Sequence, residues 1–350
     1  MFRVVDDNDA DNAWQKLAEF FLPRGPAVQQ TGRNGQTSEV LHAAFSILNP
    51  RQRWIASRSP ALNPAFAIAE VVWILAGRQD SAFLNYFNPS LPNFAGGGST
   101  YGGAYGYRLR HHFGIDQLQR AFEILATDQN SRQVVLQIWD SRVDLPKEDA
   151  TPPSMDIPCN VVALLKIRNR RLEWTQIMRS NDIFRGLPHN IVQFTSLQEI
   201  LAGWLGLETG TYNHVSDSLH LYEKDGPMRE RLQPIDMPPN SDHLALSKVE
   251  SDQAFLDLSS FGDFVISDVN GPERIVPRLE ELKIPPAYFN FGAILAAEAL
   301  RRRGRVDLAV QTISRCTNPC LTFLFDRWIQ RNRPKSTAGD SIPTPNRTKD

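Results

Sequence analysis

Ile157-Pro158-Cys159-Asn160-Val161-Val162-Ala163-Leu164-Leu165-Lys166-Ile167 and Arg171-Leu172-Glu173-Trp174-Thr175-Gln176-Ile177-Met178-Arg179 lie on either side of an Arg168-Asn169-Arg170 turn. Two such runs, rich in β-formers and joined by a short turn, predict a β-hairpin. Antiparallel pairing brings the two ends of a hairpin together, so Cys159 at the entry and Arg179 at the exit become neighbours despite their separation in sequence. A thiolate is a strong nucleophile that needs a nearby cation at neutral pH, and an arginine is a cation that does not lose its proton. The pairing predicts a site of covalent catalysis.

Downstream, Arg179-Ser180-Asn181-Asp182-Ile183-Phe184-Arg185-Gly186-Leu187-Pro188-His189-Asn190 leads into a helix predicted from Pro188 to Trp204, with Asn190 in its first turn and Gly206 as its stop. Upstream, apolar periodicity predicts helices over 10–22 and 61–77, the second ending at Gly77. That second helix carries Glu70 in otherwise apolar surroundings. A buried carboxylate is costly unless hydrogen-bonded or functional, so Glu70 is either a structural hydrogen-bonding group or a tuned acid/base. The Gly- and Tyr-rich run from Phe94 to Tyr107 fits a mobile loop entering an ordered site, or a plain flexible loop. Gln133 to Trp139 is a further predicted strand.

The chain has 350 residues, long enough for one or two domains with a large core. Its 38 basic residues balance 39 acidic ones, which leaves no broad footprint for nucleic acid or an anionic membrane but permits a small anion held by a few arginines. No apolar run reaches membrane-spanning length, and Met1-Phe2-Arg3-Val4-Val5-Asp6-Asp7 is too acidic for a signal peptide, so a cytoplasmic location is expected. Three cysteines, Cys159, Cys316 and Cys320, make no disulfide framework. Cys316 and Cys320 have no second Cys or His pair nearby to complete a zinc site, and no metal is expected.

Beyond about residue 265, segments 277–283, 294–304 and 308–328 read as amphipathic helices with an arginine-rich face. The expected organisation is a catalytic domain over 1–265, a helical extension over 266–332 and a disordered tail over 333–350, rich in Ser, Thr, Pro and charge.

The quoted residues resemble the thymidylate synthase family, whose pattern is Pro-Cys-His followed by Gln-Arg-Ser-x-Asp-x-x-x-Gly-x-Pro-x-Asn. Arg33 in Gly32-Arg33-Asn34-Gly35 matches the family's phosphate-binding arginine, Glu70 in Ala69-Glu70-Val71-Val72-Trp73 its catalytic glutamate, and Tyr105-Gly106 its active-site Tyr-Gly. Ser131-Arg132 matches the Ser-Arg that crosses the dimer, and His220-Leu221-Tyr222 the pair that holds the sugar. All stand in family order. Asn160 replaces the usual His, Met178 the usual Gln, Ser218 the usual Asp, and Gln133 the second of two arginines. The family's short closing tail is replaced by the helical extension.

The resemblance implies an α/β (α+β) fold, a large mixed sheet with flanking helices, and a homodimer formed through the sheet face. It implies that Cys159 adds to C6 of a pyrimidine nucleoside monophosphate and that C5 then attacks the one-carbon unit of methylenetetrahydrofolate. Arg179 would activate Cys159 and, with Arg33, Ser180 and the partner's Arg132, clamp the phosphate. Asn190 would read the base, favouring uracil, although an amide that can flip is a weaker filter than a charge. His220 and Tyr222 would hold the sugar, Glu70 and Tyr105 would handle the C5 proton, and Asp182 would bind the folate ring. Exclusion of water from the site gives a methyl product, whereas admission of water gives a hydroxymethyl product on a uracil or cytosine nucleotide. A nucleotide-binding homologue without turnover is the alternative from another class.

Overall fold

In a computed structural model, residues 1–32 and 35–332 are described. Arg33 and the 333–350 tail lie outside the described residues. Eight strands form one mixed sheet: β1 (Arg3–Asp7), β2 (Val28–Gly32), β3 (Gly35–Ile47), β4 (Val135–Gln137), β5 (Asn160–Arg168), β6 (Arg171–Met178), β7 (Asn181–Asp182) and β8 (Glu208–Tyr222). The order is β1-β3-β8-β6-β5-β4, with β2 also on β3 and β7 also on β8. β6 and β8 are parallel, while β5 and β6 form the antiparallel hairpin. Asn169 and Arg170, at φ 50° and 58°, make its two-residue turn. Positive φ at both positions matches the right-handed twist of the flanking strands.

The sheet has unlike faces because side chains alternate along each strand. Leu136, Ala163, Gln176, His214, Phe45 and Val5 stand side by side in register, and all are buried. Val162, Ile177, Val215, Ala44 and Val4 form a row on the other face that is half-buried or exposed.

The Gly186–Trp204 helix covers the buried face and packs in turn on the Pro64–Leu75 helix. It begins two residues earlier than the sequence predicts, which places Asn190 one turn in rather than in the first turn. Pro188 is tolerated there because the N–H groups of the first turn have no intrahelical acceptor. In the Pro64–Leu75 helix every residue except Glu70 is buried. The Asn63 side chain caps its N-terminus, accepting from the backbone N–H of Ala65 and Phe66, and Gly77 at φ 65° ends it.

The C-terminal segments form the helices Ile275–Glu280, Pro286–Arg302, Val306–Ile313 and Pro319–Arg331. The amphipathic helix expected over 294–304 is instead part of the longer Pro286–Arg302 helix, in which all residues from Asn290 to Leu300 are buried and which packs on the back of Pro64–Leu75. A helix apolar nearly all round belongs inside. Its buried Glu298 is satisfied by Arg301 and by the Trp328 indole at 2.9 Å. One hydrophobic core runs through these helices and the sheet. Among the described residues no helix is long and apolar enough to cross a membrane.

Candidate active site

The mouth of the hairpin is shaped by backbone contacts. The Arg179 N–H donates to the Cys159 carbonyl at 3.0 Å. The Arg179 side chain then turns back on the same segment: Nε donates to the Pro158 carbonyl at 3.1 Å and a terminal nitrogen to that of Ile157 at 3.4 Å. The guanidinium lies 5.2 Å from the centre of the Trp139 ring. A β-bulge between Asn160 and Val162 follows at once, and bulges re-aim the side chains beside them. Cys159 is half-buried and Arg179 exposed, so a cation sits at the thiol's strand end and keeps an edge towards solvent.

Tyr105 and Glu70 approach from the helical side. Burial pushes the Tyr105 phenol well up from its ordinary value, and the nearby Cys159, Asp156 and Glu70 add to this, while the Asn160 amide beside it works the other way. The phenol therefore keeps its proton at neutral pH, close to both the thiol and the carboxylate. Gly106 sets this approach: a Cβ there would lie 2.2 Å from the Ile74 carbonyl oxygen. Gly106→Ala is expected to destabilise the fold by about 1–3 kcal/mol in urea melts and to pull Tyr105 off the site, because overpacking against backbone cannot relax. An unchanged melt and unchanged turnover would show that the two elements can separate freely.

Glu70 has a partner that the sequence reading did not single out. His189 Nδ1 lies 3.2 Å from Glu70 Oε2, with both side chains about 15% exposed. The His189 ring packs edge-on against Phe66, one turn before Glu70. The signal was its place beside Asn190 on a helix facing the Glu70 helix.

Beneath these groups the buried sheet face is polar. The Trp174 indole donates to Gln176 Oε1 at 3.1 Å, and Gln176 Nε2 donates to Asn160 Oδ1 at 2.5 Å. An indole can only donate, so this chain has one direction, and it leaves Asn160 presenting its amide N–H groups. Asn160 Nδ2 is buried and lies towards the Tyr105 phenol, which it favours in the charged form. Next to it, Asn190 Nδ2 donates to Asn181 Oδ1 at 3.1 Å. Asn181 Nδ2 lies 3.2 Å from Met178 Sδ, 3.1 Å from His214 Nε2 and 3.2 Å from Ser216 Oγ. His214 Nδ1 is 2.8 Å from the Tyr212 hydroxyl. Met178 pairs with Asn160 in the hairpin register, so this network adjoins the strand end that carries Cys159.

The remaining predicted residues lie around β7 and β8. Ser180 is half-buried after Arg179. Asp182 stands opposite His220 in the β7–β8 register, and the His220 and Tyr222 rings meet at 5.1 Å. Asp182 Oδ1 accepts from the N–H groups of Phe184 and Arg185, at 2.8 and 2.9 Å, which closes the turn before the Gly186–Trp204 helix. Burial pushes its carboxyl up, and the Arg185 N–H partly opposes this. Close by, Arg185 and Lys224 flank the Phe94 ring at 5.0 and 5.8 Å, and Lys224 also lies 4.8 Å from the Tyr222 ring. Within the Phe94–Tyr107 run, Tyr101 is buried and donates to Asn85 at 2.5 Å. Arg132 is exposed ahead of β4, and Arg33 is outside the described residues. Cys316 and Cys320 are buried away from these groups, and burial pushes the Cys316 thiol up to about 12. Among the described residues no three His, Cys, Asp or Glu side chains could hold a metal ion.

The family model described as thymidylate synthase matches residues 28–276. A deoxyuridylate hydroxymethyltransferase of Bacillus phage SP01 is 33% identical over 221 residues, which are 60% of this chain and 54% of the phage protein. One of the same name from Pseudomonas phage M6 is 34% identical over 200 residues, 56% of each chain. A putative thymidylate synthase of Methanothermobacter marburgensis is 29% identical over 219 residues, 63% of this chain and 92% of the archaeal protein. The chain thus spans a little over half the length of the phage relatives it matches.

Proposed function

We propose that this chain, which belongs to the thymidylate synthase family, transfers a one-carbon unit from methylenetetrahydrofolate to C5 of a uracil nucleoside monophosphate and leaves it as a hydroxymethyl group. The observation that carries the reading is the buried Tyr105 phenol within electrostatic reach of both Cys159 and Glu70, with Arg179 folded over the Cys159 strand end. A nucleophile, its cation and a proton-handling pair are the parts that covalent activation of C5 needs.

In this reading the Cys159 thiolate bonds to C6, and the electrons of the C5–C6 double bond move onto C5 and the neighbouring carbonyl oxygen. Methylenetetrahydrofolate, as co-substrate, supplies the electrophilic carbon and leaves as tetrahydrofolate. The Glu70 carboxylate takes up the C5 proton, with the protonated Tyr105 phenol as a hydrogen-bonding group beside it, which generates a methylene group conjugated to the ring carbonyl. Water adds to that methylene and gives its proton to the Glu70 side. Electrons returning from C5 then expel Cys159 from C6 and restore the double bond. Arg179 and Ser180, with Arg33 and the partner's Arg132, hold the phosphate, and His220 and Tyr222 hold the sugar. Asp182, Phe94 and Lys224 suit the folate: a carboxylate for its donor-rich ring, an aromatic face, and a cation for its glutamate.

Two observations favour hydroxymethylation over methylation. The Glu70–His189 pair is a polar acid–base couple where a water must be held and deprotonated. The phage relatives carry the hydroxymethyltransferase name. Uracil is favoured by the phage relatives' name, deoxyuridylate being a uracil nucleotide. The half-exposed apolar row on the outer sheet face, ending in Val4 at 69% exposure, fits a homodimer packed sheet to sheet.

Incubation with deoxyuridine monophosphate and methylenetetrahydrofolate, with the product weighed, tests the reaction. The expected product gains a hydroxymethyl group without the absorbance rise of dihydrofolate. A stoichiometric rise establishes methyl transfer, the reading that the archaeal relative's name supports. No mass change leaves a nucleotide-binding protein.

A further inference from the structure

We propose that Asn181 and Met178 are specificity-determining residues that lock the Asn190 amide against flipping and thereby make it a filter for the base. The proposal rests on the reading of this pocket as a uracil nucleotide site. A neutral asparagine is a poor discriminator by itself. Uracil presents a donor at N3 and an acceptor at O4, cytosine presents the reverse order, and an amide that rotates by half a turn fits either.

The network beneath Asn190 removes that freedom. Met178 Sδ, a thioether with no proton to give, lies 3.2 Å from one terminal atom of Asn181. Only an N–H can face it favourably. The same terminal atom lies 3.1 Å from His214 Nε2, which must then accept, so the ring proton sits on Nδ1 and is donated to the Tyr212 oxygen at 2.8 Å. Burial pushes the His214 imidazole down to about 3, which keeps it neutral and able to accept. Reversing Asn181 would bring its carbonyl oxygen against the sulfur and the imidazole lone pair together. Asn181 therefore offers only Oδ1 upwards, and Asn190 turns Nδ2 towards it at 3.1 Å. The remaining N–H and carbonyl of Asn190 are thereby held in a single order for a base. Asn181 and Asn190 are 2% and 6% exposed and His214 1%, so bulk water does not substitute for any of these partners.

Met178 has a second consequence. His214, Tyr212 and Ser216 can all exchange donor and acceptor roles, and Met178 cannot. It is the group that gives the network its direction. A leucine there would keep the volume and remove the acceptor.

The test is binding of deoxyuridine and deoxycytidine monophosphates to the full chain by calorimetry, for wild type, Asn181→Ala and Met178→Leu, with thermal melts alongside. Wild type is expected to prefer one nucleotide by roughly tenfold to a hundredfold, the scale of one mispaired buried hydrogen bond, and both variants to fall within about threefold. A merely structural role would weaken both nucleotides in parallel and leave the ratio untouched. Retention of the wild-type ratio in both variants, or a wild type that does not discriminate, overturns the lock. If Asn181→Ala does not fold, Met178→Leu decides. A wild-type preference for cytosine that collapses in the variants would uphold the lock and overturn the uracil reading instead.

Discussion

Cys159→Ala is expected to abolish turnover while nucleotide affinity stays within a few-fold of wild type. Pyrimidine C5 is a weak nucleophile until a group bonds to C6, and among the described residues Cys159 is the thiol at the hairpin mouth. Removing a covalent nucleophile costs on the order of 10⁴–10⁶ in rate, far more than loss of an orienting contact. The binding groups are elsewhere: Arg179 is held by the backbone of Ile157 and Pro158, and Asn190 by Asn181, so neither depends on the thiol. Release of tritium from C5 of labelled nucleotide reports the step directly, since the proton leaves only after C6 is substituted. An alanine variant that still releases tritium would remove Cys159 from the mechanism.

The hairpin that makes this prediction possible was legible because both of its strands are rich in β-formers and its turn carries Asn169 at a position needing positive φ. The Pro64–Leu75 helix was legible from its apolar periodicity and its Gly77 stop, whereas its start was read at 61, ahead of the Asn63 cap. β8 was not. Its buried positions include His214 and Ser216, so apolar alternation fails in the stretch that lies under the base reader. β3 was obscured differently: His42, at φ 57°, interrupts its alternation, and its outward Leu41 is apolar. The polar floor beneath Asn190 thus hid the strand that builds it. Trp174, Gln176 and Met178, like Tyr212, His214 and Ser216, recur at every second residue, and that spacing was the available signal.

The C-terminal helices show a limit of another kind. The 294–304 segment reads as amphipathic because Arg301, Arg302 and Arg303 cluster at its end, yet the helix starts at Pro286 and its body from Asn290 to Leu300 is buried. Local pattern does not reveal that a further layer, Pro319–Arg331, will cover the outer side. Arg331 donates to the Ala61 carbonyl at 2.8 Å, so this last helix is fastened to the segment leading into the Glu70 helix. The extension supports that helix from behind.

Glu70→Gln is the second large effect expected. The substitution keeps side-chain size and a carbonyl oxygen that can face His189, so the Pro64–Leu75 helix should pack as before, with Glu70 its one residue not fully buried. An amide cannot take up a proton. Loss of a general base typically costs about 10²–10⁴ in rate, and here both the C5 proton and the water that completes the hydroxymethyl group depend on the same carboxylate. Tritium release and product formation should therefore fall together, with the nucleotide dissociation constant within about threefold, because a side chain that acts on transferring protons adds little to ground-state binding. The two readouts separate the roles. Tritium release at the wild-type rate with product formation lost would confine Glu70 to water addition and give the C5 proton to another base. Wild-type rates in both would show that Glu70, for all its nearness to Tyr105 and His189, is only a hydrogen-bonding group in the wall of the site.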